Sequence, residues 1–375
     1  MNFFPAVDPI PLPAPVWLFK VLHDLTLTLH FTAMQMMLGG ILVATWLNFI
    51  GGRNRGGTAS SQQLSAAFSI ARRLPVVMTF VINLGVPPFL FAQVLYGRAL
   101  YTSSVLIGAW WISVIALLML CYWLLYRFSA QAEVGGSAWG FGLAAWLLAG
   151  SIARIYTSNM TLMLRPEVWN EMYSKSALGV MLPTGDPTLT PRWLFMLAGG
   201  LTAAGLWMIW LAGRKQIEPT VRSYLSANGG RLAFVMIVVQ TLMAFLVFHV
   251  QPGAVKAGLT ASIVYKTFGL GWLTLAGVIF AFAAWSAFVR PTAGIAGWIA
   301  ATVGFLSIAC MTLYRDGIRD LTLGLSQYDV WDRTVVTNWV VVGLFLVLFV
   351  IGLGVLGWLI SVMLRAKPVS EKVVT

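Results

Sequence analysis

Charge is scarce in this 375-residue chain: charged residues make up 10% of it, hydrophobic residues 59%, and mean hydropathy is +0.83. A soluble domain cannot cover its surface with so few charges, so water-soluble classes are excluded. Cysteine is reduced to Cys121 and Cys310, each alone in an apolar segment with no CxxC or CxxCH around it. Neither a disulfide framework, an iron-sulfur cluster nor covalent haem is encoded, and any such cofactor must sit on a partner. Basic side chains do not form a stripe interleaved with exposed aromatics, which removes the case for nucleic acid. The first 15 residues contain no Lys or Arg, so the charged start of a cleavable signal peptide is missing. Pro5, Pro9, Pro11, Pro13 and Pro15 make 1–15 read as an ordered extramembrane arm.

What remains is a polytopic membrane protein. A span needs roughly 20 apolar residues, and about nine such runs occur, at 25–49, 74–96, 104–126, 138–158, 193–212, 232–250, 268–289, 295–313 and 338–364. The expected fold is an all-α bundle over 16–364 with a tail at 365–375. The first helix should begin outside the lipid near Val16, because Lys20, His23 and Asp24 are costly within hydrocarbon. Arg290-Pro291 leaves room for only a tight turn between the seventh and eighth runs.

Loop charges orient the chain. Arg53, Arg55, Arg72, Arg73, Arg127, Arg214, Lys215, Arg222, Arg231, Arg290, Arg365, Lys367 and Lys372 fall on one side, against Glu133, Glu218 and Glu371. The other side carries Asp8, Glu167, Glu171, Asp186, Asp316, Asp320, Asp329 and Asp332. By the positive-inside rule the N-terminus faces the periplasm of a bacterial inner membrane and the C-terminus the cytoplasm. The longest loops, 159–192 and 314–337, lie on the outer side and carry Trp169, Tyr173, Tyr328 and Trp331, which suggests a docking surface. The alternative is that they pack over their own helices.

Histidine is also scarce: His23, His30 and His249 are all there is. Counted from the start of the hydrocarbon, His30 lies about 7 to 8 Å below the outer interface, and His249, at the end of a later run, lies at comparable depth. Neutral imidazole is a good iron ligand, and Thr26, Thr28 and Gln35 are candidate partners for the second ring nitrogen. His30 and His249 are therefore the expected metal ligands of a b-type haem, with Arg154 facing a propionate. His23 is about 10 Å higher on the same helical face, too far for the same iron. With Asp24 it forms a proton-accepting pair for quinol, or it joins Met34, Met36, Met37 or Met311 at a second haem. A membrane histidine also serves as an interhelical hydrogen-bonding group, and arginine near a helix end snorkels.

Some patterns carry no chemistry. Gly352, Gly354 and Gly357 spell GxGxxG within the last apolar run, where no strand precedes them, so they suit close helix packing better than a dinucleotide. Arg315, Asp316, Arg319 and Asp320 have the spacing of a helical ion-pair network. In Asn83-Leu84-Gly85-Val86-Pro87-Pro88 the prolines interrupt the backbone ladder near mid-membrane, which is tolerated beside protein or a cofactor cavity.

About nine helices, an outward N-terminus and a histidine-bearing first helix resemble subunit I of the cytochrome bd oxidase class and its shorter relatives. The segment LGVPPFLFAQVLYGRALYTSSVLIGAWW, 84–111, is also similar to membrane subunits found beside periplasmic multihaem c-type cytochromes. The chain departs from the oxidase pattern in lacking a histidine on helix five, a long loop between helices six and seven, and membrane glutamates. The resemblance thus implies haem-mediated quinol chemistry rather than oxygen reduction. The expected function is a membrane b-type cytochrome subunit, with haem b and quinone as cofactors, exchanging electrons between quinol and a periplasmic c-type cytochrome or iron-sulfur partner. Its competitors are a haem-free quinone-binding anchor of a periplasmic redox complex and a small-molecule transporter, the latter disfavoured by the absence of a repeat.

Overall fold

The computed structural model describes residues 4, 10–53, 56–289 and 294–365. The loop charges at Asp8, Arg55, Arg290, Lys367, Glu371 and Lys372, the Arg290-Pro291 turn and the tail beyond 365 lie outside those residues. Among the described residues the regular structure is helical and no strand forms. The helices are α1 (Val16–Arg53), α2 (Thr58–Ala71), α3 (Leu74–Leu106), α4 (Gly108–Glu133), α5 (Trp139–Leu162), α6 (Trp169–Lys175), α7 (Leu189–Ala212), α8 (Pro219–His249), α9 (Gly253–Ala261), α10 (Ile263–Ala284), α11 (Ile295–Leu325) and α12 (Trp339–Arg365).

All nine expected runs fall in helices, and among the described residues eight helical spans have both the length and the apolarity to cross a membrane. The exception is α5, whose 24 residues suffice in length but are diluted by Gly140, Gly142, Gly150, Ser151 and Arg154. Eight spans establish a multi-pass membrane protein.

α1 is the central post, packed against α3, α7, α2, α5 and α11, while α8 lies on the far side of α7, against α7 and α10. Small residues set these approaches. A methyl group on Gly39 would collide with the Gly200 carbonyl, and one on Gly205 would come within 2.6 Å of the Gly229 carbonyl. With no hydrophobic driving force between helices in lipid, such backbone proximity supplies the packing. α1 begins at Val16, as its charges required, and its 38 residues span about 57 Å, well beyond the roughly 30 Å of hydrocarbon.

Two local expectations are corrected and a third holds. The stretch after α1 is not all loop, because Thr58–Ala71 forms a helix whose Ala66, Ala67, Ile70 and Ala71 are buried with Leu47 and Leu74. The Pro87-Pro88 pair lies inside α3, as the apolar run 74–96 required. The prolines orphan only the carbonyls of Asn83 and Leu84, and the non-helical backbone falls later, at Tyr96 (φ −124°, ψ 18°). Nor are the two long outer loops mostly structureless. α5 runs on to Leu162, Pro166–Val168 and α6 follow, and α11 continues through the charged positions to Leu325.

These segments, with Phe4 and residues 10–15, form a cap over one end of the bundle. Leu12 pairs with Val335, its amide donating to the Thr334 carbonyl and its carbonyl accepting from the Val336 amide, both at 2.9 Å. Phe4 packs edge-on against Trp169 and Tyr328, with ring centroids 5.4 and 4.8 Å away. Trp169 is buried and donates its indole N–H to the Leu162 carbonyl at 3.0 Å. The docking expectation therefore fails for Trp169 and Tyr328, whose rings are consumed by the cap, while Tyr173 and Trp331 remain exposed.

Candidate functional site

Under the cap, α1, α3 and α11 bring seven polar side chains into one cluster: Lys20, His23 and Asp24 from α1, Tyr96 from α3, and Asp316, Arg319 and Asp320 from α11. Apart from half-buried Asp320, all are buried. Isolated charges in so apolar a setting are too costly, so the cluster exists because its members pair. Lys20 forms ion pairs with Asp316 and, at 2.6 Å, with Asp320; Arg319 pairs with Asp316. The Lys20 ammonium also donates to the Tyr96 hydroxyl at 2.8 Å, and that hydroxyl donates toward Asp320 at 2.9 Å and Asp316 at 3.2 Å. The Arg319 guanidinium lies 4.1 Å from the Tyr96 ring centroid.

The α11 charges do not form the local helical network their spacing suggested. Only Asp316 and Arg319 pair along the helix, at i, i+3, and the remaining partners come from α1 and α3.

Hydrogen bonds settle the state of His23. Guanidinium N–H groups can only donate, so Arg319 Nη1, 3.0 Å away, makes His23 Nε2 an acceptor. The ring proton is then on Nδ1, which donates to the Pro88 carbonyl at 2.9 Å. His23 is a neutral imidazole locked at both nitrogens. Beside it Asp24 is buried, and its Oδ1 has no hydrogen-bond partner. Lys20 and Arg319 face three carboxylates, Asp24, Asp316 and Asp320, and Asp24 is the one without an ion pair. Arg319 Nε, also buried, is likewise unpartnered. An acceptor and a donor thus stand open in one otherwise satisfied network.

His23, Asp24 and Asp316 place one ligand-type atom each within 4.8 Å of one another. Their electrons are already committed, however. Asp316 is held by Lys20 and Arg319, and His23 Nε2 by Arg319, so a cation entering here would displace two cations from contact. The trio fits a hydrogen-bonding site better than a metal centre.

The remaining expected site residues are scattered. His30 faces α3, where Nδ1 donates to the Val81 carbonyl at 3.0 Å, and the ring lies so close to Gly85 that a Cβ there would sit 3.0 Å from it. His249 is exposed in the last turn of α8. Its neighbour Phe248 packs against the cluster of Val255, Leu259 and Ile318. Among the described residues no hydrogen bond or ring contact joins His30 to His249. His30 alone retains a ligand-like arrangement, Nδ1 anchored on a carbonyl and Nε2 unbonded.

The helper residues also differ from expectation. Thr26 and Thr28 return their hydroxyls to α1 carbonyls, and Gln35 points to the Met311 sulfur, so none of them orients a histidine. Met311 is buried in a cluster with Leu27, Phe31 and Trp272, and His23 Nε2 faces Arg319. Arg154 is half-buried and makes no hydrogen bond or ion pair among the described residues. Sequence reasoning missed Lys20, Tyr96 and Arg319 as members of the site. The available signal was a lysine and two aspartates at the ends of separate apolar runs, each needing a countercharge.

No protein-family model matches the chain, and no curated protein is significantly similar to it.

Proposed function

We propose that the chain is the quinone-binding membrane subunit of a redox complex, and that its His23–Asp24 cluster receives a quinol proton. The observation that carries this reading is the open Oδ1 of buried Asp24 beside a neutral, doubly anchored His23. A quinol hydroxyl donates to Asp24 Oδ1, and the open Arg319 Nε–H supports an oxygen of the headgroup. As the two electrons leave for a redox centre on a partner, one hydroxyl proton passes to the Asp24 carboxylate, the other hydroxyl proton is released to water, and the ring becomes quinone. His23 is a positioning residue that holds Arg319 against Asp316 and the headgroup. General base assistance of this kind contributes about 10²- to 10⁴-fold.

The orientation that suits this reading puts the cluster at the periplasmic end of a bacterial inner membrane, with Arg72, Arg73 and Arg214 at the cytoplasmic end. A periplasmic c-type cytochrome or iron-sulfur subunit then takes the electrons, and exposed Trp331, 5.9 Å from the Lys20 ammonium, offers it an anchor close to the site. A second reading, a b-type cytochrome with His30 as one axial ligand, is favoured by the free Nε2 of that residue.

Quinol-dependent reduction of the acceptor by the purified complex tests the proposal. Asp24→Asn should slow turnover by at least about 100-fold, and His23→Ala should raise KM for quinol as well as lower kcat. Wild-type turnover in Asp24→Asn would overturn the assignment. A reduced-minus-oxidised haem b spectrum that disappears in His30→Ala would establish the second reading.

A further inference from the structure

A second group of unpaired charges lies one level below the cluster. Arg315, half-buried on α11, makes no hydrogen bond or ion pair, and its guanidinium lies 5.4 Å from the Phe31 ring centroid. Arg192, half-buried in the first turn of α7, has one long contact, Nη1 to the Thr161 hydroxyl at 3.4 Å. The two positive charges act on each other across the contact between α7 and α11. No nearby carboxylate forms an ion pair with either of them. Asp316 is taken by Lys20 and Arg319, Asp186 binds the amide and hydroxyl of Thr188, and neither Asp24 nor Asp316 pairs with Arg315.

Their depth identifies the missing anion. Arg315 stands about twenty residues along α11 from Ile295, and Arg192 about twenty residues from the opposite end of α7 at Ala212. At 1.5 Å per residue each lies about 30 Å from that end, one hydrocarbon thickness away. Two helices running in opposite directions therefore place their arginines at the same boundary, the level of lipid phosphates. Guanidinium groups bind phosphate through paired N–H donors, and a stacked aromatic face such as Phe31 leaves those donors free.

We propose that Arg192 and Arg315 together hold a phosphate oxyanion at the His23 end of the bundle, from either an anionic phospholipid or a free phosphate. The proposal does not rest on quinol chemistry.

The test uses full-length protein in detergent, stripped of lipid and titrated with phosphatidylglycerol against a phosphatidylcholine background, with bound lipid counted by native mass spectrometry. A parallel calorimetric titration uses inorganic phosphate. Wild type should retain one phosphatidylglycerol more than the Arg192→Gln/Arg315→Gln double variant, with apparent affinity at least tenfold higher. Arg315→Lys, which keeps the charge and loses the fork, should fall between the two and serves if the double variant does not fold. Inorganic phosphate binding with the same arginine dependence would support the site and assign it to a soluble phosphate. Binding that is indifferent to all three variants, or no binding of either probe by wild type, would overturn the proposal.

Discussion

α1 and α12 are both long helices near the chain's ends, and they differ in a way that inverts the rule for soluble proteins. α12 is the most apolar of the eight spans, yet only 6% of its most apolar stretch is buried against protein. α1 carries Lys20, His23, Asp24, His30, Gln35 and Asn48, yet 61% of its corresponding stretch is buried. In lipid the cheapest place for a leucine or valine face is the bilayer, whereas a polar group must find a protein partner. Burial here follows polarity. The glycines show the same contrast, because Gly39 on α1 touches Gly200, while Gly343, Gly352, Gly354 and Gly357 on α12 have open space around them. The GxGxxG of α12 therefore packs against nothing among the described residues.

The comparison can be broken at α1's charges first. Asp316→Ala leaves Lys20 and Arg319 buried without their shared carboxylate, and it should cost about 3 to 5 kcal/mol. Unfolding followed in mixed detergent micelles would show this as the largest loss of the series. A loss no greater than that of a lipid-facing substitution would mean that the ion pairs are hydrated and the cluster is not closed.

Next comes backbone proximity. Gly39→Ala forces α1 and α7 apart at the Gly200 carbonyl, with an expected cost of about 1 to 3 kcal/mol from overpacking. The same unfolding assay measures it, and Gly205→Ala, at the α7–α8 contact, should behave alike.

The smallest effect sharpens the contrast. Gly354→Ala on α12 should change stability by less than about 0.5 kcal/mol in the isolated chain, since nothing lies within 4 Å of the added methyl. If Gly354→Ala instead matches Gly39→Ala, α12 is packed against a second protein surface and its exposure is not lipid exposure.

Much of the architecture was legible because hydropathy reports it directly. Nine apolar runs became helices, and the start of α1 at Val16 followed from the cost of placing Lys20 and Asp24 in hydrocarbon. Helix ends were less legible. α11 and α5 continue beyond their apolar stretches into polar sequence, because a cap of protein shields them there, and this turned expected loops into helix. The site was half legible. His23 and Asp24 stood out as ionisable residues at a span's edge, but their real partners, Tyr96 and Arg319, lie 73 and 296 positions from His23. No spacing rule reaches across separate helices, so Arg319 looked like a member of a local ion-pair row.

The sequence by itself determined that this is an all-helical multi-pass membrane protein, because a chain this apolar must satisfy its backbone within each span. It also determined that charges must gather at the span ends, since hydrocarbon excludes them. Which charges meet was decided by the tertiary structure alone. Rotation of α1 against α3 and α11 turned His23 toward Arg319 and His30 toward Gly85, and His249 was left exposed in the last turn of α8, because side-chain direction on a packed helix is fixed by its neighbours.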